Sequence, residues 1–332
     1  MKDYIGNPLQ IRGAEQYILQ NGKGSGMRFI YVRNGLGLEA WISVDRCADL
    51  SRVIFKGDNY SFMSPCGYVA PAYYDREGTA FLESFNAGFC TTCGLSNVGV
   101  PCEDGGVKYP MHGTVSNIPA ELNRIDDDEN GLTIEACVRD AVIFGKKLTL
   151  KRKYFFSYTE NSIKLEDSVA NEADFDTPVL ILYHCNVGYP LLSENSTVKI
   201  PHISCKPRDK EAADYADTAL IMEKPQPQFA ERCYYYDVEI KNGTANVGIY
   251  NKDINKGLVI SYDKTALPAF TEWKMMGKTD YVLGLEPGNC NPDGRKTVHE
   301  QGKLRILKPD ETENISLNFR FTDNESEFNS FL

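Results

Sequence analysis

The feature that most constrains the fold of this 332-residue chain is the recurrence of short segments in which apolar and polar residues alternate. A period of two places successive side chains on opposite faces of a β-strand, so each segment predicts a strand with one buried face. Helical periodicity is nearly absent, and one short helix is expected at 210–217. The pattern predicts an all-β chain of many antiparallel strands. The longest alternating segments are 132–138, 148–156, 162–169, 303–307 and 313–321.

The chain has no repeat and no linker-like segment, which favours a single domain over residues 1–332. Sandwiches and barrels often exceed 200 residues as one domain, so the length does not require a division. The first strands are predicted to form a meander, with a glycine-rich turn at 21–26 and an Asn34-Gly35 turn. Proline, glycine and aromatic residues make 63–80 a loop.

Net charge and hydropathy argue against two kinds of partner, nucleic acid and the membrane. A net charge of −10 and a pI near 5.1 disfavour nucleic acid, because phosphate backbones repel an acidic surface. No window approaches the roughly 18 apolar residues of a membrane-spanning helix. We therefore expect a soluble, cytoplasmic protein that binds neither nucleic acid nor a membrane, and a homodimer is possible.

Ten cysteines are present, many of them in strand-like apolar segments. Without a signal peptide, free buried thiols are expected rather than disulfides. Cys90 and Cys93 have the spacing of a redox or metal pair, but the chain contains no second pair of this spacing.

Glu286 is the first candidate functional residue. It follows the apolar run Val282 to Leu285 and precedes a cluster of proline and glycine residues, so it lies where a strand gives way to a loop. Sites are often built at such junctions. A strand-end carboxylate capped by a backbone amide is the alternative interpretation.

Two of the four histidines stand in unusual surroundings. His112 lies in Tyr-Pro-Met-His-Gly-Thr-Val-Ser-Asn-Ile-Pro-Ala, and His184 ends the apolar run Pro-Val-Leu-Ile-Leu-Tyr-His before Cys-Asn-Val-Gly-Tyr-Pro. A histidine that ends an apolar strand is often a satisfied core residue, and a histidine before glycine is often a turn residue. His202 and His299 are expected to be exposed.

These two segments, followed by Leu-Glu-Pro and Asn-Pro-Asp-Gly-Arg, resemble the aldose 1-epimerase (galactose mutarotase-like) superfamily in their order along the chain. Three further segments resemble a little-studied branch distinct from the typical galactose enzyme. They are Asp-Arg at 45–46, Phe-Cys-Thr-Thr-Cys-Gly-Leu-Ser-Asn-Val-Gly at 89–99 and Leu-Pro-Ala-Phe-Thr-Glu-Trp-Lys at 267–274. The resemblance implies a β-supersandwich of two large antiparallel sheets, with few short helices and a pocket on a concave face.

The implied reaction interconverts the α and β anomers of an aldose by acid–base ring opening, without cofactor or metal. By motif match, Glu286 is the catalytic base and His184 the catalytic acid, while His112 binds the sugar. Arg46, at a strand exit, is implied as a substrate contact, against the alternative of a surface pair with Asp45 or Asp49. Attraction between carboxylate and imidazolium is expected to favour both charged forms.

Other functions stay open on the sequence. The alternatives are a carbohydrate-binding or regulatory protein of the same fold without turnover, and a sugar isomerase or lyase. Two histidines and a carboxylate also satisfy the simplest pattern of a metal site. The segment after His184 departs from the galactose enzyme, and the additional carboxylate that contacts sugar hydroxyls has no clear match, with Glu231 and Asp237 as guesses. Phosphorylated, deoxy and sulfonated sugars therefore all stay open.

Overall fold

The computed structural model describes residues 3–241 and 243–332. Within them β-strands are the main element of regular structure. The strands of the first part are β1 (Gly13–Ile18), β2 (Arg28–Arg33), β3 (Leu38–Ser43), β4 (Asp49–Phe55), β5 (Asp58–Asn59), β6 (Phe62–Met63), β7 (Ala87–Gly88), β8 (Cys90–Leu95), β9 (Cys102–Asp104), β10 (Val107–Tyr109), β11 (Glu121–Asp127) and β12 (Gly131–Ala141).

The second part continues the pattern and adds three short helices, α1 (Lys210–Asp214), α2 (Arg295–Glu300) and α3 (Glu325–Phe331). Its strands are β13 (Lys147–Ser157), β14 (Ser162–Asn171), β15 (Thr177–Val187), β16 (Ser196–Lys199), β17 (His202–Pro207), β18 (Arg232–Val238), β19 (Ile240–Lys241), β20 (Thr244–Asn251), β21 (Lys256–Tyr262), β22 (Ala269–Met276), β23 (Tyr281–Gly288), β24 (Arg305–Leu307) and β25 (Thr312–Thr322).

Two large antiparallel sheets dominate the fold. One has nine strands, in the order β11-β12-β13-β14-β25-β21-β20-β16 with β19 beside β20. The other has seven, in the order β17-β18-β22-β23-β15-β24 with β8 also paired to β15. The first five strands form a separate meander sheet. The predicted all-β class and its two large sheets are confirmed.

The main hydrophobic core joins the two large sheets. Leu165 and Phe319 of the nine-stranded sheet belong to the same buried cluster as Tyr183 and Leu285 of the seven-stranded sheet. Alternation produces this, because every second residue of β14 is buried while the residues between reach solvent. Each large apolar side chain buried in this way contributes about 1.5–3 kcal/mol.

The helices differ in detail from the sequence prediction. The helix predicted at 210–217 ends at Asp214 and a 3-10 turn, Ala216–Thr218, follows it. Helices α2 and α3 were not predicted, because six or seven residues are too few to show a 3.6-residue period. In the described residues, no helix combines the length and the apolar character needed to cross a membrane.

Candidate active site

One face of the seven-stranded sheet carries a row of polar side chains. Thr271 of β22 lies opposite Glu286 of β23, and Thr91 of β8 lies opposite His184 of β15. Strands β15 and β23 pair with Cys185 opposite Leu285, and the same register places His184 opposite Glu286. Adjacent strands are about 4.7–4.9 Å apart. The sheet therefore brings residues from distant parts of the chain into one row.

His184 and Glu286 form the centre of this row. Their side chains are buried, and His184 Nε2 lies 3.2 Å from Glu286 Oε1. This contact is not a hydrogen bond, and neither Glu286 Oε1 nor His184 Nδ1 has a hydrogen-bond partner among the described residues. Buried polar atoms are normally satisfied, so unpartnered atoms on two adjacent titratable groups indicate a place where a ligand supplies the partners.

His112 reaches the same place from a tight turn. Its φ is 55°, its amide donates to the carbonyl of Gly99 at 2.9 Å, and its carbonyl accepts from the amide of Gly94 at 2.9 Å. Glycine is required at 99, because a Cβ there would lie 1.7 Å from the carbonyl oxygen of Pro292. This turn holds the His112 ring edge-to-face against His184, with 5.4 Å between ring centroids.

These three residues lie in a cavity of about 330 Å³ with largely apolar walls. Phe85 and Trp273 each pack edge-on against the ring of His184, at centroid distances of 5.3 Å. The volume suits a small molecule of roughly monosaccharide size. The lining residues are Phe81, Leu82, Phe85, Gly99, Val100, Met111, His112, His184, Arg208, Glu231, Cys233, Thr271, Trp273, Glu286 and Pro292.

Gly284 leaves room for the carboxylate. It lies opposite Trp273 in the register of β22 and β23. A Cβ at this position would stand 2.2 Å from Glu286 Oε1 and 3.0 Å from the Cβ of Trp273. Backbone without a side chain is therefore what allows the carboxylate and the indole to share this part of the face.

Three residues that are hydrogen-bonded to one another, Arg208, Glu231 and Trp273, lie at the mouth of the cavity. Glu231 accepts from Arg208 Nη2 at 2.9 Å through one oxygen and from Trp273 Nε1 at 2.7 Å through the other. Arg208 also donates to Asp209 at 2.9 Å. Of the two guesses for an additional carboxylate, Glu231 lines the cavity, whereas Asp237 lies elsewhere and pairs with Lys264.

Sequence reasoning missed Arg208 and Thr271. The alternation of β22 supplies a usable signal for Thr271, because it has the same strand parity as Trp273 and so lies on the same face. Arg208 lies just past the end of β17 and carries no comparable signal. Its position depends on β17 pairing with β18.

Arg46 is the one predicted site residue that does not line the cavity. Its buried guanidinium donates to the backbone carbonyls of Ser116, Val69 and Ser84, at 2.8, 2.9 and 3.1 Å. The alternative interpretation, a surface pair with Asp45 or Asp49, does not describe this arrangement. Direct contact with a substrate stays a prediction, and Nη2 is the Arg46 nitrogen without a partner in the described part of the chain.

Burial sets the protonation of the site. It raises the pKa of Glu286 well above its usual value, and the nearby charge of Glu231 adds to this effect. Burial also lowers the pKa of His184 to about 3 and that of His112 to about 4. The expectation that attraction would favour both charged forms is therefore wrong for the free site, because desolvation outweighs it. Burial therefore favours the neutral form of both Glu286 and His184 in the free site.

The Cys90 and Cys93 pair does not form a common site. Cys90 belongs to the core between the sheets, where its Sγ lies 3.7 Å from Cys185 Sγ, while Cys93 belongs to a separate cluster with Leu180. Residues three apart on a strand face opposite ways. All ten cysteines are unpaired in the structure, in agreement with the sequence prediction of free thiols.

Comparison with known proteins agrees with this architecture. A sequence model of the family described as Domain of unknown function (DUF4432) matches residues 24–321. A search of curated proteins found no match. A solved structure of a Klebsiella pneumoniae protein, described as a candidate aldose 1-epimerase, superposes with a TM-score of 0.89 at 24% identity, covering 98% of this chain and 88% of that one.

Two more distant structures have the same fold. A galactose mutarotase-like protein from Clostridium acetobutylicum gives a TM-score of 0.66 at 15% identity, over 94% of this chain and 99% of that one. Galactose 1-epimerase from Lactobacillus acidophilus gives 0.64 at 14% identity, over 95% and 100%. The resemblance to the galactose mutarotase-like superfamily is confirmed at the level of fold.

Proposed function

We propose that this chain, which belongs to the family described as Domain of unknown function (DUF4432), is an aldose mutarotase that interconverts the α and β anomers of a sugar. The observation that carries the proposal is the buried pair of His184 and Glu286, 3.2 Å apart on the floor of the cavity, with a free atom on each side chain. Fold similarity raises the expectation but does not by itself assign a reaction.

Ring opening moves two protons in opposite directions. Glu286, as carboxylate, accepts the proton of the anomeric hydroxyl, while protonated His184 donates to the ring oxygen as the C1–O5 bond breaks and C1 becomes an aldehyde. Rotation about C1–C2 and closure by the reverse transfers give the other anomer. No electron or atom enters or leaves, so the pair supplies everything that the isomerisation requires.

The protonation of the free site fits this cycle. After ring opening, Glu286 holds a proton and His184 is neutral, which is the state that burial favours in the free protein. A sugar hydroxyl that donates to Glu286 favours the ionised carboxylate, because hydrogen bonds to a charged form stabilise it. Transfer of the Glu286 proton to His184, 3.2 Å away, then prepares the pair for a cyclic substrate.

The remaining residues position the sugar. His112 packs on His184 and has one ring nitrogen engaged, since its Nδ1 accepts from the amide of Gly99 at 3.3 Å. Its Nε2 is therefore assigned to a sugar hydroxyl. Glu231, whose two oxygens are fixed by Arg208 and Trp273, retains lone pairs for neighbouring hydroxyls at the mouth.

Exchange between anomeric NMR signals over a panel of aldoses tests the proposal. Exchange above the spontaneous rate with at least one sugar is the expected result. Shifts or broadening without exchange would identify a binding protein, and new product signals would identify an isomerase or lyase. Either of these outcomes overturns the proposal.

Two histidine variants, one inside the cavity and one outside it, test whether the loss of exchange is specific to the site. His184→Asn should lower the exchange rate by at least about 10², because positioned proton transfer typically contributes 10² to 10⁴. His202→Asn is the control, since His202 lies outside the cavity and bonds the carbonyl of Ile200. Equal losses in the two variants would remove His184 from the reaction.

A further inference from the structure

The order of strands gives the cavity a polar end and an apolar end. The sheet runs β17, β18, β22, β23, β15 and then β8, so Arg208 and Glu231 lie on one side of Glu286. His184 lies on the other side of Glu286. Beyond it lie Phe85, which packs on His184, and Phe81, which packs on His112.

This order maps onto the atoms of an aldose if the proposed function holds. Glu286 acts at O1 and His184 at the ring oxygen, which joins C1 to C5. Since O1 lies on the Glu286 side of the ring oxygen, C5 and its exocyclic carbon extend past His184, toward Phe85. The hydroxyls of C2 and C3 then extend the other way, toward Glu231.

The wall that meets the exocyclic carbon has little to offer a hydroxyl. Phe81 and Phe85 form one apolar cluster, with centroids 4.9 Å apart, and Met111 packs against it. Arg46 holds this wall from behind through the carbonyl of Ser84 and does not itself line the cavity. Burying a hydroxyl against such a surface without a hydrogen-bond partner is unfavourable.

The opposite end has no spare positive charge for an anionic substituent. Arg208 is the one lysine or arginine among the residues that line the cavity. Its guanidinium is paired with Glu231 and Asp209, each at 2.9 Å, and donates to Cys233 Sγ at 3.0 Å. A phosphate or sulfonate would therefore meet carboxylates without a free cation, which is unfavourable in a partly dry cavity.

We propose that the substrate is an uncharged 6-deoxyaldose, with its exocyclic methyl group against the Phe81, Phe85 and Met111 wall and its C2 and C3 hydroxyls toward Glu231. This inference rests on the proposed function and narrows it. It separates deoxy sugars from the phosphorylated and sulfonated ones that the sequence left open.

The test uses sugar pairs of one enantiomeric series that differ only at C6, namely D-fucose with D-galactose, D-quinovose with D-glucose and D-rhamnose with D-mannose and the corresponding L pairs, together with glucose 6-phosphate and galactose 6-phosphate. The exchange rate and the affinity of each sugar are measured by NMR. In the pair with the preferred ring stereochemistry, the 6-deoxy sugar should have a kcat/KM about 10- to 100-fold above its parent. The 6-phosphates should neither bind nor exchange measurably.

Two variants test which end of the cavity sets the preference for the 6-deoxy sugar over its parent. Met111→Gln places an amide of similar size in the wall and should reduce the ratio between 6-deoxy sugar and parent at least about threefold. Glu231→Gln, at the other end, should lower both members of the pair together and leave the ratio unchanged. A ratio that follows Glu231 rather than Met111 would overturn the placement of the methyl group.

The two proposals fail in different ways. A parent hexose or a 6-phosphate that exchanges faster than the 6-deoxy sugars overturns the inference and leaves the mutarotase activity in place. Absence of exchange with every sugar overturns the activity, and the affinities then decide the inference separately. Tighter binding of the 6-deoxy member supports it, and equal or weaker binding rejects it.

Discussion

Tyr183 and His184 are adjacent on β15, and each belongs to a different buried cluster of ionisable side chains. The two clusters differ in whether their polar atoms have hydrogen-bond partners. Tyr183 faces the core, where its hydroxyl donates to Asp167 at 2.7 Å. Asp167 also accepts two bonds from Arg152, at 2.9 and 2.6 Å, and Arg152 reaches Asp49 at 2.5 Å. His184 faces the cavity, where its Nδ1 and Glu286 Oε1 lack partners among the described residues.

This difference distinguishes buried charged groups that stabilise the fold from buried groups that are available for chemistry. In the cluster of Arg152, Asp49 and Asp167, opposite charges lie in contact and each nitrogen of Arg152 donates at least one hydrogen bond. At His184 and Glu286, burial instead favours the neutral form of both groups, and hydrogen-bonding capacity is left unused. Unused capacity costs stability, and its presence on two adjacent titratable groups supports the proposal that a ligand binds at this face.

The largest expected effect is on the satisfied cluster. Arg152→Met leaves two carboxylates buried without a cation and should lower the free energy of unfolding by about 3–5 kcal/mol. Urea denaturation measures the loss. Lys151→Met is the control, because Lys151 is exposed on the same strand and should change stability by less than about 0.5 kcal/mol. If Arg152→Met lowered the free energy of unfolding by less than about 1 kcal/mol, the Arg152 cluster would not have the stabilising role that the comparison assigns to it.

The second prediction concerns the unsatisfied pair. Glu286→Gln should lower the anomeric exchange rate by at least about 10² and leave the free energy of unfolding at pH 7 unchanged or raised by about 1 kcal/mol. A carboxyl group with a raised folded pKa loses stability as the pH rises above its unfolded pKa, and glutamine removes that loss. Exchange NMR and urea denaturation test the two parts. Near-normal turnover would return Glu286 to the alternative of a strand-end carboxylate.

The third prediction is a pH dependence of stability. The pKa of His184 is lowered by burial to about 3, so the unfolded chain binds a proton near pH 6.5 that the folded chain does not. Stability should therefore fall as the pH drops below about 6.5, by about 1–3 kcal/mol from this residue. Denaturation of His184→Asn between pH 7 and pH 4 should show a smaller decline than that of the unaltered protein. Parallel declines would show that the imidazole is not held neutral by burial.

The smallest predicted effect tests the space beside the carboxylate. Gly284→Ala places a methyl group 2.2 Å from the present position of Glu286 Oε1 and should lower the exchange rate about 10-fold by displacing the carboxylate. In a Glu286→Ala background the same change should have no further effect on the rate. An additive loss there would mean that Gly284 acts through the backbone or through Trp273.

The sequence by itself determined the strands and the class of fold. Alternation over 132–138, 148–156 and 162–169 became β12, β13 and β14, because one face of each strand must be apolar to be buried. It also singled out His112, His184 and Glu286, since histidines are few and these stand at unusual junctions. Short helices such as α2 could not be predicted from the sequence, because a helical periodicity needs more residues than they contain.

Only the tertiary structure decided which of these side chains meet and in what chemical state. The pairing of β15 with β23 and of β22 with β23 brings His184, Glu286 and Thr271 into one row, and no local pattern encodes that register. The commitment of Arg46 to three backbone carbonyls depends on loops that fold around it. The pKa values of Glu286 and His184 shift because desolvation is a property of the assembled cavity, which the residues acquire only when distant segments exclude water together.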